Sequence, residues 1–114
     1  MKRIEAVVPT ARLERAFSAL RELNIGGLTY YDSKGHGEIP RPEVHSNRGT
    51  SVYRPAFNIN STIVVVVNDS MAEKVIDKIL ESTSSGLKGE GKIFLSDVDD
   101  AIDIGSKTRG EKAI

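Results

Sequence analysis

Asn58 to Val67, NINSTIVVVV, ends in five consecutive apolar β-formers, Ile63 to Val67. A strand that is apolar on both alternating faces asks for burial on both sides. Directly before it lies Lys34 to Phe57, KGHGEIPRPEVHSNRGTSVYRPAF, which shows no apolar period of 2 or 3.6. That stretch holds both histidines, His36 and His45, and three of the four prolines, Pro40, Pro42 and Pro55. It reads as loop, and irregular loops this long inside compact domains are usually functional or disordered. On its other side Leu28 to Ser33, LTYYDS, is rich in β-formers. Two β-like runs flanking one long loop form a hairpin with adjacent ends, a rigid mount for a working loop.

Working outward, Ile4, Ala6 and Val8 alternate with Arg3, Glu5 and Val7 as a short strand does. Pro9-Thr10 ends it, with Thr10 placed to cap a helix. Leu13, Ala16, Phe17, Leu20 and Leu23 follow at helical spacing until Asn24 and Gly26-Gly27 stop the pattern. After the valine run, Ser70-Met71-Ala72-Glu73 has the form of a capping box. The helix behind it carries Val75, Ile76, Ile79 and Leu80 and ends near Ser84-Ser85-Gly86. Gly89-Glu90-Gly91-Lys92 leads into a last strand, Ile93-Phe94-Leu95, and the tail from Asp97 is polar. The order is β-α-β, loop, β-α-β. This is the pattern of an α+β, ferredoxin-like βαββαβ sandwich with both helices on one face and a long loop between strands 2 and 3. The other face leaves alternate valines of 63–67 wet. At about 25 cal/mol per Å² this is several kcal/mol of unrealised burial, and closed self-association supplies it.

The chain of 114 residues suits a single domain over 1–114. Its 16 Lys plus Arg balance 16 Asp plus Glu, which argues against a dedicated nucleic-acid binder. Cysteine is absent, excluding disulfides and thiolate metal sites and fitting a cytoplasmic protein. No apolar run approaches a membrane span. Glycines let backbone N–H groups approach phosphate oxygens, and a lysine adds charge, so Gly89-Glu90-Gly91-Lys92 is either a phosphate cradle or an ordinary loop-to-strand turn. His36, Glu38, Glu43 and His45 have zinc-competent side chains. With Pro40 and Pro42 between them, exposed loop residues are the blander reading. The run Asp97, Asp99, Asp100, Asp103 reads as a solvated face, since it lacks the glycine and final glutamate of a calcium loop.

The opening MKRIEAVV, Gly27-Leu28-Thr29, Lys34-Gly35-His36-Gly37, Arg48-Gly49, Gly89-Glu90-Gly91-Lys92-Ile93-Phe94 and the ending Arg109-Gly110-Glu111-Lys112-Ala113-Ile114 together resemble the PII signal-transduction proteins. The resemblance covers the whole chain. It implies a non-catalytic homotrimer with clefts between subunits that bind an adenine nucleotide: ATP, ADP or AMP. It implies a T-loop over about 35–57 that engages an ammonium transporter or an enzyme of nitrogen metabolism, a B-loop over about 86–92, and a C-terminal tail over about 98–114. Carried over residue by residue, it places Gly89, Glu90, Gly91, Lys92, Gly35 and Gly37 at the phosphates, and Val7, Gly27, Thr29 and Val66 around the adenine. Arg48 becomes the loop-tip residue that meets a partner, with Tyr53 near the family's modified position.

The sequence departs from the family at three points. Asp103 and Gly105 stand where typical members carry two phosphate-clamping arginines. Exchanging a cation for a carboxylate beside a triphosphate shifts the interaction by several kcal/mol, on the order expected at an effective dielectric of 20 before screening. Loss of binding or a preference for ADP or AMP follows, unless Lys107 and Arg109 compensate. Ile39 replaces the glutamine that coordinates magnesium, so conventional magnesium–2-oxoglutarate sensing is not expected. Val52 occupies the register of the modified tyrosine, with Tyr53 one residue on. Two other classes remain: a small ferredoxin-like hydrolase, which Pro9-Thr10-Ala11 after the first strand does not favour, and a related trimer sensing a different small ligand or a metal, for which His36 and His45 are the support.

Overall fold

The computed structural model describes residues 1–36, 44–45, 52–53, 57–87 and 89–114, with backbone alone at 44–45 and 52–53. The alternation of Ile4, Ala6 and Val8 gives strand β1, Lys2–Pro9, with those three side chains buried. A 3-10 turn, Thr10–Arg12, leads into α1, Leu13–Leu20, whose Leu13, Ala16 and Leu20 face the core. Strand β2 spans Thr29–Gly35. The long connection contains two short strands, β3 Val44–His45 and β4 Val52–Tyr53, before β5, Asn58–Val67. Helix α2, Asp69–Thr83, buries Ala72, Val75 and Ile79, and β6 spans Lys92–Asp97. The tail closes with a second 3-10 turn, Gly110–Ala113.

The strands form one antiparallel sheet in the order β2-β5-β1-β6. Ile4 stands opposite Val65 and Leu95, and Ala6 opposite Ile63 and Ile93. This row faces the helices. Each fully buried Ile, Leu or Val there is worth roughly 1.5–3 kcal/mol, and Ile4, Ile63, Val65, Leu20, Val75 and Ile79 form its centre. Phe17 of α1 meets Tyr30 of β2 edge-to-face at 5.1 Å. The expected double βαβ sheet, with the loop on the β2–β5 hairpin, is the observed one.

Several local expectations are corrected. Thr10 does not cap α1: it lies inside the 3-10 turn, and its hydroxyl shares a 3.0 Å hydrogen bond with that of the buried Ser61. Ser70 does not open a capping box, because α2 starts one residue earlier at Asp69, with Asn68 at the N-cap and no side-chain cap bond. Asp69 is drawn to the Met1 amino group instead, at 3.0 Å. Helix α1 stops at Leu20, before the apolar pattern runs out, and Leu23 packs on the core from the connection. The long loop is not wholly irregular, since Val44 pairs with Tyr53 and His45 with Val52.

The helix-free face differs from the expected bare valine slab. Val64 and Val66 are half-buried, with Glu5 and Arg3 as their cross-strand neighbours. Those two side chains pair with each other at 2.8 Å. Long charged side chains can screen apolar surface with their stems, so the valines are partly covered inside one copy. Phe94 and Tyr31 on the same face remain exposed.

Candidate functional site

The glycine turn 89–92 sits where β6 begins, with Lys92 directly opposite Val7 of β1. Gly91 presses on that strand: a Cβ there would lie 2.4 Å from the Val7 carbonyl oxygen, and its φ is 153°. Gly89, at φ 86°, takes the left-handed conformation that side chains disfavour. A groove of about 370 Å³ runs beneath the turn, between Val7–Pro9 of β1, Ile76 and Leu80 of α2, and Leu87. Lys92 also lines it. Close-packed backbone, glycines and a cation are the elements from which anion sites are built.

Glu90 is turned to its own chain. Its carboxylate accepts from Arg12 at 2.6 Å and from the Ser85 hydroxyl. The Ser85 hydrogen bond, then the Arg12 guanidinium, hold its carboxyl below the ordinary value. Arg12 also donates to the Thr83 carbonyl at 2.8 Å, at the end of α2. Neither Arg12 nor Ser85 stands out by pattern in the sequence. Arg12 is one of several charges around α1, and nothing in spacing separates it from Glu14 or Arg15.

The remaining expected ligand residues lie elsewhere. Thr29 pairs with Val64, and Val66 lies two residues along the same face of β5. Gly27 precedes β2 and is open, with nothing within 4 Å of a Cβ built on it. Gly35 ends β2 opposite Asn58, and the Asn60 side chain fills the space a Cβ would take. Since β2 and β6 are opposite edges of the sheet, a single copy divides these residues. Three strand spacings of about 4.8 Å separate the two edges. Gly37, Ile39 and Arg48 lie outside the described residues, as do the side chains of Tyr53 and His45. The His36 ring is edge-on to Phe57 at 6.2 Å, and among the described residues no group of three metal-ligating side chains forms.

The tail has more structure than its polarity suggested. Ile102 bridges to Arg109 across a turn in which Asp103 accepts from the Ser106 N–H at 2.7 Å and hydroxyl at 2.8 Å. The Ser106 N–H and hydroxyl depress the Asp103 carboxyl. Lys107 occupies the turn at φ 63°. Arg109 is committed to Asp100, at 3.0 Å from Nε and 2.6 Å from Nη2. Asp97 pairs with Lys2. The acidic run is therefore exposed but structural: three of its members organise the tail and its junction with β1. Ile114 comes to lie beside the connection ahead of β2, where a Cβ on Gly26 would stand 2.8 Å from its backbone.

A double βαβ sheet with both helices on one face is a ferredoxin-like α+β domain. The chain belongs to the nitrogen regulatory protein P-II family, whose sequence pattern matches residues 1–108. It is 34% identical to the Nitrogen regulatory protein P-II of Bradyrhizobium diazoefficiens, over the full length of both chains. The protein of that name from Azospirillum brasilense is also 34% identical, again over both full lengths. The Nitrogen regulatory protein P-II 2 of Methanothermobacter thermautotrophicus is 33% identical, over all of this chain and 97% of that one.

Proposed function

We propose that this chain is a non-catalytic, cytoplasmic nitrogen-signalling protein that binds an adenine nucleotide between copies of itself and acts on a partner protein through residues 35–57. The observation that carries this reading is the division of the expected ligand residues between two sheet edges. Val7 and Gly89 to Lys92 gather at the β6 edge, while Thr29 lies on β2 and Gly27 just before it, with Ile114 beside Gly26. Setting the β6 edge of one copy beside the β2 edge of the next would unite both groups in one cleft, and the homotrimer that the family resemblance implies is a closed repeat of such a contact. Lys92 would meet the phosphates, and Thr29 and Val66 the base. No described helix is long and apolar enough to cross a membrane, and an ammonium transporter or an enzyme of nitrogen metabolism is the proposed partner.

With Asp103 and Gly105 in place of cations and Arg109 committed to Asp100, Lys92 is the phosphate-facing cation this reading relies on among the described residues, so ADP or AMP should bind at least as well as ATP. Calorimetric titration with the three nucleotides tests this, and Lys92→Ala should weaken each in proportion to its phosphate count. Magnesium with 2-oxoglutarate should add nothing, given Ile39. Capture of a purified transporter should fall in Arg48→Ala; equal capture would remove that residue's role.

A further inference from the structure

Arg12 makes a set of contacts that the nucleotide reading does not use. One nitrogen, Nη1, donates both to the Thr83 carbonyl at 2.8 Å and to Glu90 Oε2 at 2.6 Å. Thr83 is the last residue of α2, and Glu90 lies between the two glycines of the turn. The same carboxylate oxygen also accepts from Ser85. Arg12 is rooted in the turn that joins β1 to α1. A single guanidinium thus ties the helix end and the glycine turn to the segment behind Val7.

The tether matters because of what lies between its ends. Gly86 and Gly89 have φ of 84° and 86°, and glycine backbone held by no other contact samples both signs of φ. A turn that is loose when empty must be ordered by its ligand, and that ordering is subtracted from affinity. The Arg12 and Glu90 side chains are about three-quarters shielded, at 25% and 26% exposure, so solvent and salt screen the pair less than an open surface pair.

We propose that Arg12 is a positioning residue for phosphate binding by the Gly89–Lys92 turn: acting through Glu90, it fixes the turn in its receptive shape before the ligand arrives. This rests on the reading of the turn as a phosphate site. Arg12 does not touch the ligand; Lys92 and the glycine N–H groups do.

The test is calorimetric titration with ATP of wild type, Arg12→Ala, Arg12→Lys, Glu90→Ala and the Arg12→Ala/Glu90→Ala double variant, beside amide hydrogen exchange. Arg12→Ala and Glu90→Ala should each weaken binding about tenfold, as expected when a short loop must be ordered at binding. The double variant should be no weaker than either single one, because both remove the same tether. Arg12→Lys, which keeps a cation able to reach one partner, should recover part of the affinity. Exchange at residues 89–91 should quicken in Arg12→Ala while that of β5 stays unchanged, which a general loss of stability would not produce. An Arg12→Ala variant that binds ATP like wild type while Lys92→Ala does not would overturn the proposal and leave the phosphate site standing. Additive losses in the double variant would overturn it as well. If wild type takes up no ATP, the phosphate reading and the proposed role fall together, even where the exchange data show the tether holding the turn.

Discussion

At the scale of single residues, two glycines that look alike in sequence differ in what surrounds them. A Cβ on Gly91 would stand 2.4 Å from the Val7 carbonyl oxygen, in a paired strand that cannot retreat. Gly91→Ala should therefore lower stability by roughly 1–3 kcal/mol, the usual cost of overpacking, read as a fall in urea midpoint. On Gly35 the conflicting atom is the Asn60 side-chain nitrogen at 2.7 Å, the free end of a rotatable group. Gly35→Ala should cost well under about 1 kcal/mol, as surface substitutions usually do. Equal losses at both positions would refute the distinction. Charged residues give a second prediction. Asp97 is held below its ordinary pKa by Lys2, Glu22 by Lys78, and Asp100 by Arg109. A carboxyl with a depressed folded pKa binds more protons in the unfolded chain as pH falls, so its stabilisation is complete above the unfolded pKa and lost as pH falls through the folded one. Lys2 and Lys78, both raised, behave oppositely and lose their contribution only at strongly alkaline pH. Melting temperature should stay nearly level through neutrality and drop below about pH 4, the ordinary carboxylate range. Because these pairs are exposed, the drop should shrink in high salt.

Among the elements, α2 separates core from surface within one turn. Ile79 is 1% exposed and Leu80 is 47% exposed. Ile79→Ala should cost about 2–5 kcal/mol of unfolding free energy. Leu80→Ala should cost less than about 1 kcal/mol in the folded copy, since little apolar area leaves water there. Chemical denaturation of the two variants decides it. The elements most legible in the sequence were the runs of apolar β-formers. Ile4, Ala6 and Val8 placed β1, and NINSTIVVVV placed β5 to its exact ends. The helix caps were less legible, because tertiary partners overrode local chemistry: Ser61 took the Thr10 hydroxyl, and the amino terminus took Asp69. Leu80 matched the apolar period of α2 yet remains at the surface, for periodicity records a face but not how far the covering sheet extends. The glycine turn was visible as a phosphate-compatible motif from its composition. Its fastening was not, since Arg12 and Glu90 lie 78 positions apart and meet only through the fold.

For the whole molecule, the question is what covers the apolar surface that one copy leaves open. Phe94 and Leu95 on the β6 edge strand are 54% and 46% exposed, and Ile104 on the tail is 95% exposed. An edge strand with free backbone groups and uncovered aromatic and aliphatic side chains favours further association. Covering each large side chain contributes roughly 1–2 kcal/mol, against a cost of about 4–15 kcal/mol for joining two bodies. A stable assembly therefore needs most of these residues at once, and losing one at the centre of the contact should matter. Static light scattering should give three times the 12.4 kDa chain mass. Phe94→Glu, which leaves the helix-side core untouched, should lower that mass while the circular dichroism of the copy is retained. Nucleotide affinity should fall in the same variant, although Phe94 is not among the residues expected to hold the ligand, because under the proposed arrangement a dissociated copy would keep only half of the cleft. A variant that dissociates yet binds ATP as tightly as wild type would show that one sheet suffices, and that the division between β2 and β6 has no bearing on ligand capture.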